Sequence, residues 1–125
     1  MEKKVHDFEF LAKGGPYSHI IEANGFLFCS GVTAVDREKG LVIRDDVRKG
    51  TEIVLANIQR ALNALGSGLE KVVKATVFLK DMKDFQAMNE VYKTFFPADP
   101  PVRTCIAVKD IPGDSPLEIE VIAVK

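Results

Sequence analysis

The last quarter of the chain constrains the fold most. Pro100-Pro101-Val102-Arg103-Thr104-Cys105-Ile106-Ala107-Val108 and Leu117-Glu118-Ile119-Glu120-Val121-Ile122-Ala123-Val124 both read as strands, and each carries charge where strand interiors rarely hold it. Side chains alternate across a strand, so Leu117, Ile119, Val121 and Ala123 share one face while Glu118, Glu120, Ile122 and Val124 share the other. The aliphatic face suits a cover of helices. The face with two carboxylates needs water, a cation or a second subunit across a wet crevice, because a buried charge without a partner is costly. If the two strands pair, Arg103 and Glu118 reach one small volume.

The remaining chain supplies a sheet and its cover. Residues 5–10 alternate weakly, as a short edge strand does, and Lys13-Gly14-Gly15-Pro16 is a loop from which Tyr17 hangs. His19-Ile20-Ile21-Glu22-Ala23 and Phe26-Leu27-Phe28-Cys29-Ser30 flank Asn24-Gly25, the pair favoured by a two-residue type I′ hairpin turn. The stretch Thr33 to Arg44 lacks a sustained period and reads as an exposed connection with room for a short strand. Asp45 or Asp46 then caps a helix whose stripe is Val47, Thr51, Val54, Ile58, Ala61, Leu62 and Leu65, ended by Gly66 and Gly68. Lys71 to Leu79 is rich in β-branched residues and predicts a strand. A second helix opens at Asp81 or Asp84, buries Phe85, Met88, Val91, Tyr92 and Phe95, and stops at Pro97, Pro100 and Pro101. Right-handed crossovers put both helices on one face of a sheet of five or six strands and leave the other face bare. The class is α+β, with one domain spanning residues 1–125.

Composition narrows the possible partners. At 125 residues with 46% hydrophobic content, the chain can fill one core. A net charge of -1, with 17 basic residues spread along the chain, gives no electrostatic footprint for nucleic acid. The start Met1-Glu2-Lys3-Lys4 has no apolar core behind it, and no apolar run reaches membrane-spanning length, so a cytoplasmic location is expected. Cys29 and Cys105 have apolar neighbours and read as reduced, buried thiols; a disulfide would need their strands adjacent. His6, His19 and the two cysteines share no metal-ligand spacing.

Several motifs together resemble the YjgF/RidA family: Pro101-Val102-Arg103-Thr104-Cys105 with Glu118-Ile119-Glu120 fifteen positions after the arginine, Gly15-Pro16-Tyr17-Ser18, Cys29-Ser30-Gly31, and Asn89-Glu90-Val91-Tyr92 before Phe95-Phe96. The resemblance covers nearly the whole chain. It implies a chorismate-mutase-like fold related to the ferredoxin-like folds, assembled as a homotrimer with clefts between subunits. It further implies hydrolysis of reactive 2-imino and 2-enamino acids (2-iminobutanoate, 2-iminopropanoate, 2-aminoacrylate) to 2-oxo acids and ammonia, without a cofactor. Such species are shed by pyridoxal-phosphate-dependent dehydratases, which makes a functional link to those enzymes. In this resemblance Arg103 grips the substrate carboxylate, Glu118 orients the attacking water, Tyr17 is an aromatic wall, Ser30 and Asn89 are polar contacts, and the Cys105 carbonyl faces the site.

Each of these residues also has a plainer reading. Arg103 can serve in a buried ion pair with a glutamate, although the prolines before it stiffen its approach and a planar guanidinium suits a carboxylate. Glu118 and Glu120 can be outward residues of an amphipathic strand; two carboxylates on one face also raise a pKa, which suits proton transfer. Glu120 is read as structural. Cys105 lacks a base and reads as a small hydrophobe rather than a nucleophile. His19 reads as an ordinary strand residue. A small-carboxylate sensor without turnover is the alternative function, and ribonuclease or translation inhibition ranks below it. Val32, Ala34, Gly14 with Lys13, and Thr104 depart from the family pattern and are expected at the pocket rim.

Overall fold

The computed structural model describes residues 2–125. In chain order its elements are β1 (Lys4–His6), β2 (Ile20–Ala23), β3 (Phe26–Thr33), β4 (Val35–Asp36), β5 (Leu41–Val42), α1 (Val47–Ala64), β6 (Val72–Leu79), α2 (Phe85–Phe95), β7 (Val102–Ala107) and β8 (Leu117–Val124). Six strands form one sheet in the order β1-β2-β3-β8-β6-β7, and β4 and β5 form a small separate ribbon. Neighbours are antiparallel except β6 and β7, which are parallel and joined through α2. The result is the α+β architecture with a mixed sheet that the element order predicts.

Local chemistry sets the boundaries. Asn24 (φ 52) and Gly25 (φ 81) both take the left-handed backbone of a type I′ turn, whose twist matches the strands it joins. Asp46 caps α1, its carboxylate accepting from the Lys49 N–H at 3.1 Å. At the far end Gly66 (φ 79) reverses the chain, and the N–H groups of Gly66 and Ser67 satisfy the carbonyls of Asn63 and Leu62. The strand expected over residues 5–10 is shorter and earlier, because past His6 the His19 N–H goes to the Asp7 side chain and the Phe8 N–H goes to the His19 ring instead of to a neighbouring strand.

One core lies between the sheet and the two helices. Val54, Leu55, Ile58 and Leu62 of α1, with Met88 of α2, are wholly buried against Leu27, Val77, Leu117 and Ile119. Alternation then sends Phe26, Phe28, Glu118, Glu120, Thr76 and Phe78 to the opposite side. Among the described residues that side carries no helix, and Phe26, Phe28, Ile106 and Val124 are 38%, 43%, 45% and 41% exposed. Cys29 and Cys105 are unpaired, on strands separated by β8 and β6.

The cap gives a direct test of the α1 boundary: Asp46→Ala should lower unfolding free energy by about 1 kcal/mol in urea titration, with an unchanged m-value.

Candidate functional site

A cavity of about 440 Å³ opens where the N-terminal loop crosses β3 and β8, with Tyr17, Ser30, Gly31, Thr33, Asn57 and Glu118 in its wall. The loop is held by one side chain. His19 is 4% exposed, and its Nδ1 accepts the Phe8 N–H at 2.9 Å, which places its proton on Nε2 for donation to the Ala12 carbonyl at 3.1 Å. Its own N–H donates to Asp7 Oδ1, and Lys13 pairs with the other oxygen of Asp7. The Asp7 carboxyl is accordingly held below its usual range, first by the His19 N–H and then by Lys13. Tyr17 follows: its hydroxyl donates to the Ala12 carbonyl at 3.3 Å and accepts from the Gly14 N–H at 3.2 Å, which fixes the ring over the cavity mouth.

The opposite wall is built by an irregularity in β3. Between Cys29, paired with Val121, and Val32, paired with Ile119, two residues of β3 face one of β8. This β-bulge lets Cys29 and Val32 both turn toward the core and leaves Ser30 and Gly31 together on the open side. The Ser30 N–H donates to the His19 carbonyl at 2.9 Å, which ties the bulge to the loop strap. Glu118 lies against Gly31, half-buried; burial raises its carboxyl pKa, and the neighbouring charge of Glu120 raises it further. A carboxylate whose proton affinity is raised is a better proton acceptor than a fully solvated one.

Arg103 lies elsewhere. Strands β7 and β8 do not pair, because β6 runs between them. Arg103 is in register with Ala75 and Cys105 with Val77, both buried residues of the helix-covered face, whereas Glu118 is opposite Phe78 on the open face. Two strand spacings and three residues of rise separate their backbones by roughly 14 Å, on opposite sides of the sheet. The expectation that one chain brings Arg103 and Glu118 into a single volume is therefore corrected.

At its own end of the sheet Arg103 is held by α2. Its guanidinium donates to Asn89 Oδ1 at 2.7 Å and lies 4.8 Å from the Tyr92 ring centre and 5.7 Å from that of Phe85. Asn89 and Tyr92 are one helical turn apart and so meet the same group. Among the described residues no carboxylate pairs with Arg103, so within the chain the ion-pair reading does not apply. Cys105 sits beside it, its thiol pKa pushed up by burial against the opposing effect of Arg103, and Cys29 is pushed up to about 12 by burial. Neither is an activated nucleophile.

The structure thus forms two groups from the expected residues: Tyr17, Ser30 and Glu118 at the cavity, and Arg103, Asn89 and Cys105 at the β7 edge. Asn89 holds the arginine rather than lining the cavity. His19 is the residue that sequence reading passed over; its signal was a histidine directly behind a Gly-Gly-Pro loop. The departures divide as well. Gly14 and Val32 line the cavity, Ala34 is fully buried with its N–H on Ser115 Oγ and so is not at a rim, and Thr104 is exposed on β7, away from this cavity. Among the described residues no cluster of His, Cys, Asp or Glu could hold a metal ion, and no helix is long and apolar enough to cross a membrane.

Comparison with known proteins agrees along the full length. The family model described as Endoribonuclease L-PSP matches residues 9–125. A RutC family protein of Pyrococcus horikoshii is 44% identical over 111 residues, covering 89% of this chain and 88% of its own. The Arabidopsis thaliana protein named Reactive Intermediate Deaminase A, chloroplastic, is 41% identical over 109 residues, covering 87% of this chain and 58% of its own longer one. The crystal structure of Escherichia coli TdcF with bound serine superposes with a TM-score of 0.90 at 34% identity, covering 98% of each chain.

Two measurements test the site's construction. His19→Leu leaves the Phe8 N–H without its acceptor and the Ala12 carbonyl with only the Tyr17 hydroxyl, and should cost about 2 kcal/mol and speed amide exchange across residues 8–17. Because the Glu118 pKa is raised on folding, the unfolded chain releases that proton first and stability falls as pH rises from the ordinary carboxylate range through the folded value. Glu118→Gln should therefore melt higher than wild type at neutral pH, the gap closing in acid.

Proposed function

The chain belongs to the endoribonuclease L-PSP family, also called the YjgF/RidA family, and from that premise we propose that it hydrolyses reactive 2-imino and 2-enamino acids to 2-oxo acids and ammonia. The observation that carries this reading is the pairing of unlike groups: an arginine without a carboxylate partner, and a glutamate whose proton affinity is raised at the wall of a cavity. Since the two lie on opposite faces of one sheet, the proposal includes a homotrimer in which Arg103 of one protomer faces the cavity of its neighbour. Exposed Val102 (69%) and Ile106 (45%) on the edge strand β7, with Phe26 and Phe28 on the open face, support a subunit contact there, because such an apolar edge is otherwise an aggregation hazard.

In that arrangement the guanidinium holds the substrate carboxylate by charge-assisted hydrogen bonds and sets the imine carbon near the Glu118 wall. Glu118 takes a proton from water as the oxygen bonds to the imine carbon and the C=N electron pair moves to nitrogen, and Glu118 then returns that proton to the nitrogen. The tetrahedral carbinolamine collapses by the same route: Glu118 takes the hydroxyl proton and passes it to the amino nitrogen, the oxygen electron pair forms the C=O bond, the C–N bond breaks, and ammonia leaves with the 2-oxo acid. The imine carbon is already electrophilic, so the scheme calls on no cofactor. Pyridoxal-phosphate-dependent dehydratases are the enzymes whose products would supply such substrates. A cytoplasmic location is part of the proposal and is supported by two unpaired cysteines; the Arabidopsis relative is named as chloroplastic.

The assay generates 2-iminobutanoate in situ and follows 2-oxobutanoate. Glu118→Gln should lower kcat by roughly 100-fold, and Arg103→Ala should lower kcat/KM by roughly 10- to 100-fold through loss of the carboxylate contact. The native mass should be three times the 13.8 kDa chain. Exchanging subunits between Arg103→Ala and Glu118→Ala trimers should restore activity at roughly a quarter of the interfaces, those where both intact residues meet. Binding of 2-oxobutanoate without faster hydrolysis would favour the sensor instead, and RNA cleavage abolished by Arg103→Ala would favour the endoribonuclease of the family's description.

A further inference from the structure

Gly31 sits inside the β3 bulge, where a glycine is normally explained by backbone conformation. Here that explanation fails. Gly31 is not among the residues with positive φ, so its backbone is one an alanine can adopt without strain. What distinguishes the position is what occupies its side-chain space. A methyl group on Gly31 would overlap a carboxylate oxygen of Glu118, with the carboxyl carbon at 2.7 Å and Cγ at 3.0 Å. The three nearest atoms all belong to that one side chain. At Gly50 the neighbours are Leu117, Pro116 and Ala34 at 3.1–3.3 Å, a tight fit among core atoms; at Gly68 they again belong to one glutamate, Glu70, but that side chain is exposed, whereas Glu118 is half-buried at the cavity wall.

We infer that Gly31 is a positioning residue for Glu118: its missing side chain is the slot in which the carboxyl group lies flat against β3 at the cavity wall. The consequence for catalysis rests on the function proposed above, but the placement itself does not. Burial is the first cause of the raised pKa, and the slot is where that burial occurs. The ionisable groups around it are Glu120 on the same strand and face, and Tyr17 and His19 across the cavity; among the described residues no lysine or arginine lines this cavity to hold the carboxylate by charge. Steric fit between Gly31 and Glu118 therefore fixes where the acid sits. A side chain at residue 31 would push the carboxyl toward water and away from the wall.

The test uses the full chain, with glutamate side-chain carboxyls labelled by ¹³C and Glu118 assigned from the Glu118→Gln spectrum. In Gly31→Ala the Glu118 titration midpoint should move down toward the solvent value. In the imine assay kcat should fall by roughly the factor seen for Glu118→Gln, with KM little changed and the acid limb of the pH–rate profile displaced to lower pH. The variant Gly31→Ala/Glu118→Ala should be as stable and as active as Glu118→Ala alone, because the two changes remove the same arrangement. An unchanged midpoint with kcat within about twofold of wild type would overturn the inference. If Gly31→Ala does not fold, the double variant decides: folding like Glu118→Ala supports a purely steric conflict with Glu118, and failure to fold overturns it. If the wild type does not hydrolyse imines, the functional reading falls while the titration still judges Gly31.

Discussion

Strand β8 is hydrogen-bonded to β3 along one edge and to β6 along the other, and its register is fixed by burying Leu117, Ile119, Val121 and Ala123 under the helices. A slip of one residue would exchange these for Glu118, Glu120, Ile122 and Val124 and drive two carboxylates into the core. The core thus dictates where Glu118 emerges, and the acid inherits a rigid backbone from its apolar neighbours. Its raised pKa is the local cost. Burial and Glu120 both disfavour the charged form of this carboxyl, and the apolar face of the same strand is what holds it in place against that cost.

Much of this was legible from local sequence. The Asn24-Gly25 turn, the α1 stripe from Val47 to Leu62, and the caps at Asp46 and Gly66 depend on residues within a few positions of each other. The α+β class and the placing of both helices on one face followed from element order. The order of strands did not, because nothing in β7 or β8 announces that β6 lies between them. Alternation puts Arg103 and Cys105 on one face, but which face that is depends on pairing with Ala75 and Val77, a contact long-range in sequence. Apolar residues on both faces of β7 removed the usual clue: Val102 and Ile106 look like core and are exposed.

The loop strap was missed for a related reason. A histidine at the head of a strand is unremarkable until its ring is seen to bond two backbone groups, the Phe8 N–H and the Ala12 carbonyl, at the two ends of the segment that leads into a loop of two glycines and a proline. A turn too irregular to satisfy its own backbone borrows a side chain. The bulge at Ser30 and Gly31 had a visible signal, glycine inside a strand, but its purpose appears only with Glu118 in place.

Separating the two charged groups has a chemical consequence of its own. Had Arg103 and Glu118 met within one chain, the guanidinium would have depressed the glutamate pKa and spent its donors on an internal ion pair. On the proposed function, a site that takes a carboxylate with one group and moves a proton with the other gains from not fusing them into an ion pair within one chain. The chain does so by assigning them to opposite faces of a single sheet, with the cation steadied by a neutral amide and aromatic rings that leave its charge uncancelled. On the proposed assembly, subunit contact would bring the two halves to a common cleft, so competence for chemistry and the trimer would arise together. Each fold would then be silent alone, because neither half by itself both fixes an anion and activates water.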